Sequence, residues 1–303
     1  MSYSSPKVSI TMPTYNGATF IREAINSVLS QSFSDLELIV VVDGSIDNTL
    51  EILKEYNDPR IKLIHKKVNG GLPLALNIGL ENSKGEYWVY LSDDDLFMPD
   101  AIKAMVEYLD SQPEIFGVLP GAYIIDKQGR IKGRLTNYCN CVFWRKEAVL
   151  KVGGFRQEYM VVEDADLFLR MKYYFGSIAR IPQAYFKYRI HKERISYTLR
   201  NKRALVSLKM HFDLINRGIE KADLEELFFD RLSETALFDN RSCLDEVLLF
   251  AKEKNVAFYF KLEKKVKFYK TRLGWLANKI KQVIRNRISL SYFKFVAYLR
   301  KHY

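Results

Sequence analysis

Four short β-rich runs, Val8–Met12, Glu37–Asp43, Arg60–His65 and Glu86–Leu91, each run out into a polar motif, and this constrains the fold more than any other feature. Amphipathic stretches lie between them. Phe20, Ile21, Ala24, Ile25, Val28 and Leu29 share one helical face, a second helix follows Asp43, and a third is expected from Pro99-Asp100 to about Ser111. Such alternation predicts an α/β fold with a mostly parallel sheet covered on both faces. Ligands of these sheets bind beyond the carboxyl ends of the strands. The motifs there are Pro13-Thr-Tyr-Asn16, Asp43-Gly-Ser45, Asn69-Gly-Gly71 and Asp93-Asp-Asp95, and the expectation is a single site.

Two acidic groups carry the chemistry. Ser92-Asp93-Asp94-Asp95 closes the apolar run Tyr87–Leu91. Three consecutive carboxylates leaving a buried strand repel one another unless a cation or a donor-rich ligand neutralises them. A hard divalent ion such as Mg²⁺ takes one or two protein carboxylates and completes its shell with phosphate and water. Asp95 has the alternative of capping the following turn. The second group, Glu163-Asp164, opens a helix within GGFRQEYMVVEDADLFLR at residues 153–170 and supplies a candidate base, with Glu163 and Asp166 as alternatives to Asp164. A metal site plus a separate base suggests group transfer from a diphosphate donor to a hydroxyl. Tyr15 is read as stacking on a base, Trp88 as core, and His191 as either a surface histidine or a contact to metal or diphosphate. Arg189 and Arg194 either support phosphate charge or are solvated.

Composition narrows the setting. The chain has 303 residues and a net charge of +11, but residues 261–303 hold 13 Lys/Arg against the single acid Glu263, leaving residues 1–260 near neutral. A nucleic-acid enzyme would carry basic charge around its cleft, so no nucleic-acid partner is expected. Cys139, Cys141 and Cys243 form no C-x-x-C pair, which suits a reducing compartment. No signal sequence and no window of ~18 apolar residues is read, so the expected place is the cytoplasm or the inner membrane face. In the tail, Leu262, Val266, Tyr269, Leu273, Leu276, Ile280 and Val283 form a heptad seam with basic flanks. A helix on an anionic membrane suits that charge, with Trp275, Tyr292, Phe293 and Phe295 as interfacial anchors; packing on the catalytic domain or a partner helix are the alternatives. The expected division is a catalytic domain over 1–200, a helical extension over 201–260 and the basic amphipathic tail over 261–303.

The segments VSITMPTYNG, ELIVVVDGSIDNT, NGGLPLALNIGL, GEYWVYLSDDDLFMPD and GGF…EDADLFLRM, in this order, resemble the inverting nucleotide-sugar glycosyltransferases of family 2 over roughly residues 6–200. The resemblance implies a GT-A fold, a Rossmann-like mixed sheet flanked by helices, and a divalent metal (Mg²⁺ or Mn²⁺). It implies that Pro13, Tyr15 and Asp43 hold the nucleoside, with Asp43 accepting from a uracil or thymine N3–H. Asp93 and Asp94 match the D-x-D region, Asp94 as metal ligand, and Asp164 matches the general base. Asn69, Glu163 and His191 are further candidate substrate contacts. Departures from the pattern are Ser92 at the first acidic position, Val42 before Asp43, and Leu76 where an arginine usually stands. The absence of a Q-x-x-R-W motif favours addition of a single sugar. The implied setting is stepwise assembly of a bacterial surface polysaccharide on a lipid-linked saccharide acceptor. Rival readings are a catalytically silent sugar-nucleotide-binding scaffold and nucleic-acid binding through the tail.

Overall fold

The computed structural model describes residues 5–135, 141–176, 178–195, 199–219, 249–250 and 252–253. The chain divides into two compact units, Met1–Tyr197 and Thr198–Tyr303. The proposed site residues all belong to the first; the tail seam, Cys139 and Cys243 lie outside the described residues.

The first unit opens with β1 (Val8–Thr14), α1 (Ile21–Leu29), β2 (Leu36–Asp43), α2 (Thr49–Lys54), β3 (Ile61–Lys66), α3 (Leu72–Glu81) and β4 (Tyr87–Tyr90). β5 (Leu96–Phe97), α4 (Ala101–Ser111), β6 (Gly117–Ile125), β7 (Ile131–Leu135) and β8 (Phe143–Arg145) follow. The unit closes with α5 (Lys146–Lys151), a 3-10 turn (Gln157–Tyr159), α6 (Glu163–Phe175) and β9 (Ala179–Arg189). One mixed sheet runs in the order β3-β2-β1-β4-β8-β6-β9-β5, with β7 on β6. The strands β3, β2, β1 and β4 are parallel to their neighbours, and β8 joins β4 antiparallel. In the second unit, α7 (Arg200–Asn216) is described, and Phe212 meets Phe250 edge-on.

The near-continuous apolar run of β2 reflects burial on both faces, since successive side chains alternate. Leu38, Val40 and Val42 join Val8, Ile10, Met12 and Val89 under α1 and α4. Ile39 and Val41 turn the other way, against Ala75 of α3. Trp88 is fully buried on that second face among Leu76, Leu80 and Phe155, and its indole N–H donates to Thr11 Oγ1 at 2.9 Å. Trp88 is thus a core residue with its one donor satisfied. The helix expected from Pro99 begins at Ala101 instead. Asp100 precedes it in the left-handed region at φ 61° and accepts from Ser32 Oγ rather than capping the helix.

Candidate active site

Parallel strands β1, β2 and β4 bring three polar exits side by side. Thr14, the last residue of β1, donates to Asp93 Oδ2 at 2.5 Å. The chain then passes so close that a Cβ at Gly17 would stand 2.1 Å from the same oxygen, so only glycine fits there. Asn16, at φ 56°, ties this loop to the exit of β2: its N–H donates to Ser45 Oγ and its Oδ1 accepts from Ile46 N–H. Tyr15 between them is half exposed at 49%, as a face offered to a ligand must be. Pro13 is buried within β1, opposite Val41.

Asp43 sits at the end of β2, paired in register with Lys66 of β3. Its carboxylate accepts from Lys66 Nζ at 2.5 Å, from Gly70 N–H at 3.0 Å and from Gly71 N–H at 2.8 Å. Asn69 Oδ1 accepts from the same Gly71 N–H at 3.0 Å. Asp43 therefore fixes the turn that enters α3, with its side chain only 4% exposed beneath Lys66, which is 20% exposed. Lys66 gave no signal in the sequence beyond its place at the strand end.

The acidic loop after β4 is neutralised in part by the protein itself. Asp95, for which capping the following turn is one alternative, accepts from Arg189 N–H at 2.8 Å and Arg194 Nη1 at 2.7 Å. β5 pairs with β9, Leu96 against Lys187, and so carries Asp95 to these partners more than 90 residues away. Arg189 is buried rather than solvated, with Nε on the Asp94 carbonyl at 2.8 Å and Nη2 on Glu23 at 2.7 Å. Burial and the neighbouring Asp94 charge push the Asp93 carboxyl up to about 7, against the pull of Thr14. Burial likewise raises Asp95 to about 6, opposed by Arg194.

His191 is drawn to Asp94. Its Nε2 lies 2.8 Å from Asp94 Oδ2, its Nδ1 lies 3.0 Å from Glu193 Oε2, and its ring packs on Phe20 at 4.9 Å. Asp94 Oδ1 is buried without a hydrogen bond. Among the described residues no group of three or more His, Cys, Asp or Glu donors assembles. Asp94 and His191 nonetheless offer two donors, and a divalent ion that keeps phosphate and water in its shell needs no more from protein. The residues fit such an ion.

The base candidates separate by environment. Asp166 is fully buried and shared by two arginines: Arg156 lies along both its oxygens, and Arg170 reaches Oδ2 through Nε at 2.9 Å and Nη2 at 2.7 Å. Arg170 also donates to the Val152 and Gly154 carbonyls. A carboxylate so committed cannot take a proton from a substrate; Asp166 is the bolt of the α6 entry. Glu163 is buried at the helix start, whereas Asp164 is part-buried and its Oδ1 accepts from Ala165 N–H at 2.8 Å. Val161, two residues before the helix start at Glu163, is held at φ 83°, a costly conformation for a β-branched residue and one that clusters at functional sites. Two contacts set this loop against α3: Asn77 exchanges hydrogen bonds with the Phe155 backbone, and a Cβ at Gly71 would stand 3.1 Å from Met160 Sδ. The structure thus joins Thr14, Asp93, Asp94 and His191 in one cluster. It joins Asp43 and Asn69 in a second, bordered by the loop that leads to Asp164.

A mixed α/β sheet with its polar residues gathered at the strand ends defines the class, and comparison places the chain within it. Residues 9–158 match the glycosyl transferase family 2 model. The putative glycosyltransferase EpsE of Bacillus subtilis is 33% identical over 186 residues, covering 55% of this chain and 67% of EpsE. The fold matches S. aureus TarS 1-349 in complex with UDP-GlcNAc (TM-score 0.59, 20% identity, 77% of this chain and 72% of that one). It also matches the mannosyltransferase PcManGT from Pyrobaculum calidifontis in complex with GDP-Man and Mn²⁺ (TM-score 0.59, 17% identity, 93% and 88%). Uncharacterized glycosyltransferases of five Rickettsia species share 42–48% identity, but the chain spans only 18–33% of their length. The chain belongs to glycosyl transferase family 2 and has the GT-A fold.

Proposed function

We propose that this chain transfers a single sugar from a nucleotide-diphosphate donor, of the UDP or dTDP type, to an acceptor hydroxyl with inversion at the anomeric carbon. The observation that carries this reading is the buried Asp94 Oδ1, free of hydrogen bonds and beside His191, at the strand ends where a donor diphosphate would lie. Asp94 and His191 would hold a divalent ion, Mg²⁺ or Mn²⁺, which supplies Lewis-acid stabilisation of the departing diphosphate. Tyr15 stacks on the base, with Pro13 beneath its loop. Asp43 acts at the base edge together with Lys66, and Asn69 shapes the turn beside them. Asp93, fixed by Thr14, faces the ribose or sugar, and Glu163 lines the acceptor side. Asp164 takes the acceptor hydroxyl proton as the new C–O bond forms and the bond to diphosphate breaks. A single displacement inverts the centre once. The basic tail favours a cytoplasmic enzyme, peripheral on the inner face of the membrane, that builds a bacterial surface polysaccharide on a lipid-linked saccharide.

The test is turnover of a panel of nucleotide sugars, with the product read by NMR. Inverted anomeric configuration is expected. Retained configuration would refute the single displacement, and binding without turnover of any donor and acceptor would favour a silent scaffold.

A further inference from the structure

The three carboxylates after β4 meet two buried arginines of different kinds. Arg189 is immobilised by the backbone. Its guanidinium goes to the Asp94 and Lys127 carbonyls and to Glu23, and no guanidinium N–H of it is bonded to the acidic-loop carboxylates. Arg194 comes from the segment after β9 and lies with its guanidinium over the Tyr188 ring at 4.0 Å. It grips Asp95 with two nitrogens, Nη1 at 2.7 Å and Nη2 at 3.2 Å. The same Nη1 stands 3.3 Å from Asp94 Oδ1 without forming a hydrogen bond to it. Its side chain is 9% exposed and that of Asp94 11%.

We propose that Arg194 is a positioning residue, the resident counter-cation of the acidic loop: it keeps Asp94 and Asp95 together when no divalent ion is bound, and yields Asp94 Oδ1 when one arrives. This rests on the metal reading given above. The geometry makes the exchange easy, because the bidentate grip on Asp95 stays and only a charge contact to Asp94 is given up. A guanidinium suits the task, being permanently charged and shaped for two-point binding of a carboxylate. The loop is thus formed in advance of its ligand, which removes the ordering cost from donor binding.

The experiment is thermal unfolding of the full chain, stripped with EDTA or supplied with Mn²⁺ and UDP, for wild type, Arg194→Met and Arg194→Lys. Removing the cation leaves buried aspartates uncompensated, so stripped Arg194→Met should melt lower by on the order of 10 °C. Mn²⁺ with UDP should restore most of that loss, because the ion takes over the missing charge. Arg194→Lys, which keeps the charge but not the fork, should lose less than half as much. Recovery of folded Arg194→Met only with Mn²⁺ and UDP would also support the proposal. An unchanged melting temperature, or an equal loss with and without the ion, would overturn it and leave Arg194 merely structural or idle. If neither variant folds under any condition, the proposal also falls. If Mn²⁺ with UDP shifts no protein, wild type included, it is the metal reading itself that fails.

Discussion

Asp166→Ala isolates the bolt of the α6 entry from the catalysis beside it. The substitution removes the shared partner of Arg156 and Arg170, whose side chains are 14% and 5% exposed. Arg156 can turn toward solvent and keep its place over the Tyr159 ring, 4.5 Å away. Arg170 cannot; it is left with two backbone carbonyls and no counter-charge. Stripping one partner from a buried ion pair costs ~3–5 kcal/mol. In a unit of this size, Met1–Tyr197, each kcal/mol lowers the melting temperature by roughly 2–4 °C, so a fall on the order of 6–20 °C is expected. Differential scanning calorimetry measures it, and UDP binding by the folded protein should remain close to wild type because Tyr15 follows β1 and Asp43 ends β2, neither of them part of α6. Asp166→Asn, which keeps the shape and loses the charge, should fall between the two. A melting temperature within about 2 °C of wild type for Asp166→Ala would refute the role given to this carboxylate.

Asp164→Asn should leave the melting temperature unchanged and still bind donor, while transfer falls by roughly 10²–10⁴, the usual worth of a general base; full transfer activity would remove Asp164 from the mechanism. The raised carboxyl of Asp93 gives a pH test. Its folded-state pKa of about 7 lies above the unfolded value, so metal-stripped wild type gains stability from this group in acid and loses it as pH rises through about 7. Asp93→Asn cannot lose a proton, so its melting temperature relative to wild type should climb from pH 5 to 8 in EDTA; a constant difference would contradict the burial of that charge. Deleting residues 261–303 removes the +12 surplus and should abolish co-sedimentation with anionic liposomes, while turnover on a soluble acceptor analogue survives. Equal liposome binding with and without the tail would give that segment another task.

The amino-acid sequence by itself determined the strand–helix alternation, the double-sided burial of β2 and the gathering of polar motifs at the strand ends. These are local properties: a period of two or 3.6 residues, and a polar group where an apolar run stops. It also offered Asp94 as a candidate metal ligand and the Glu163–Asp166 stretch as the source of a candidate base. It could not say what answers the charge of the acidic loop. Asp95 resembles a helix cap in sequence, and becomes an arginine-bound anchor because β5 is laid against β9. Nor could it separate Asp164 from Asp166, two residues apart on one helix turn and alike in type. Packing gives them different environments, by turning Asp166 inward between Arg156 and Arg170 and leaving Asp164 part-buried. Asp43 shows the same division. Its place at a strand end is written in the sequence, but its commitment to Lys66, Gly70 and Gly71 follows from the register of β2 on β3. Partners far apart in the chain leave no local pattern, so only the tertiary structure assigns them.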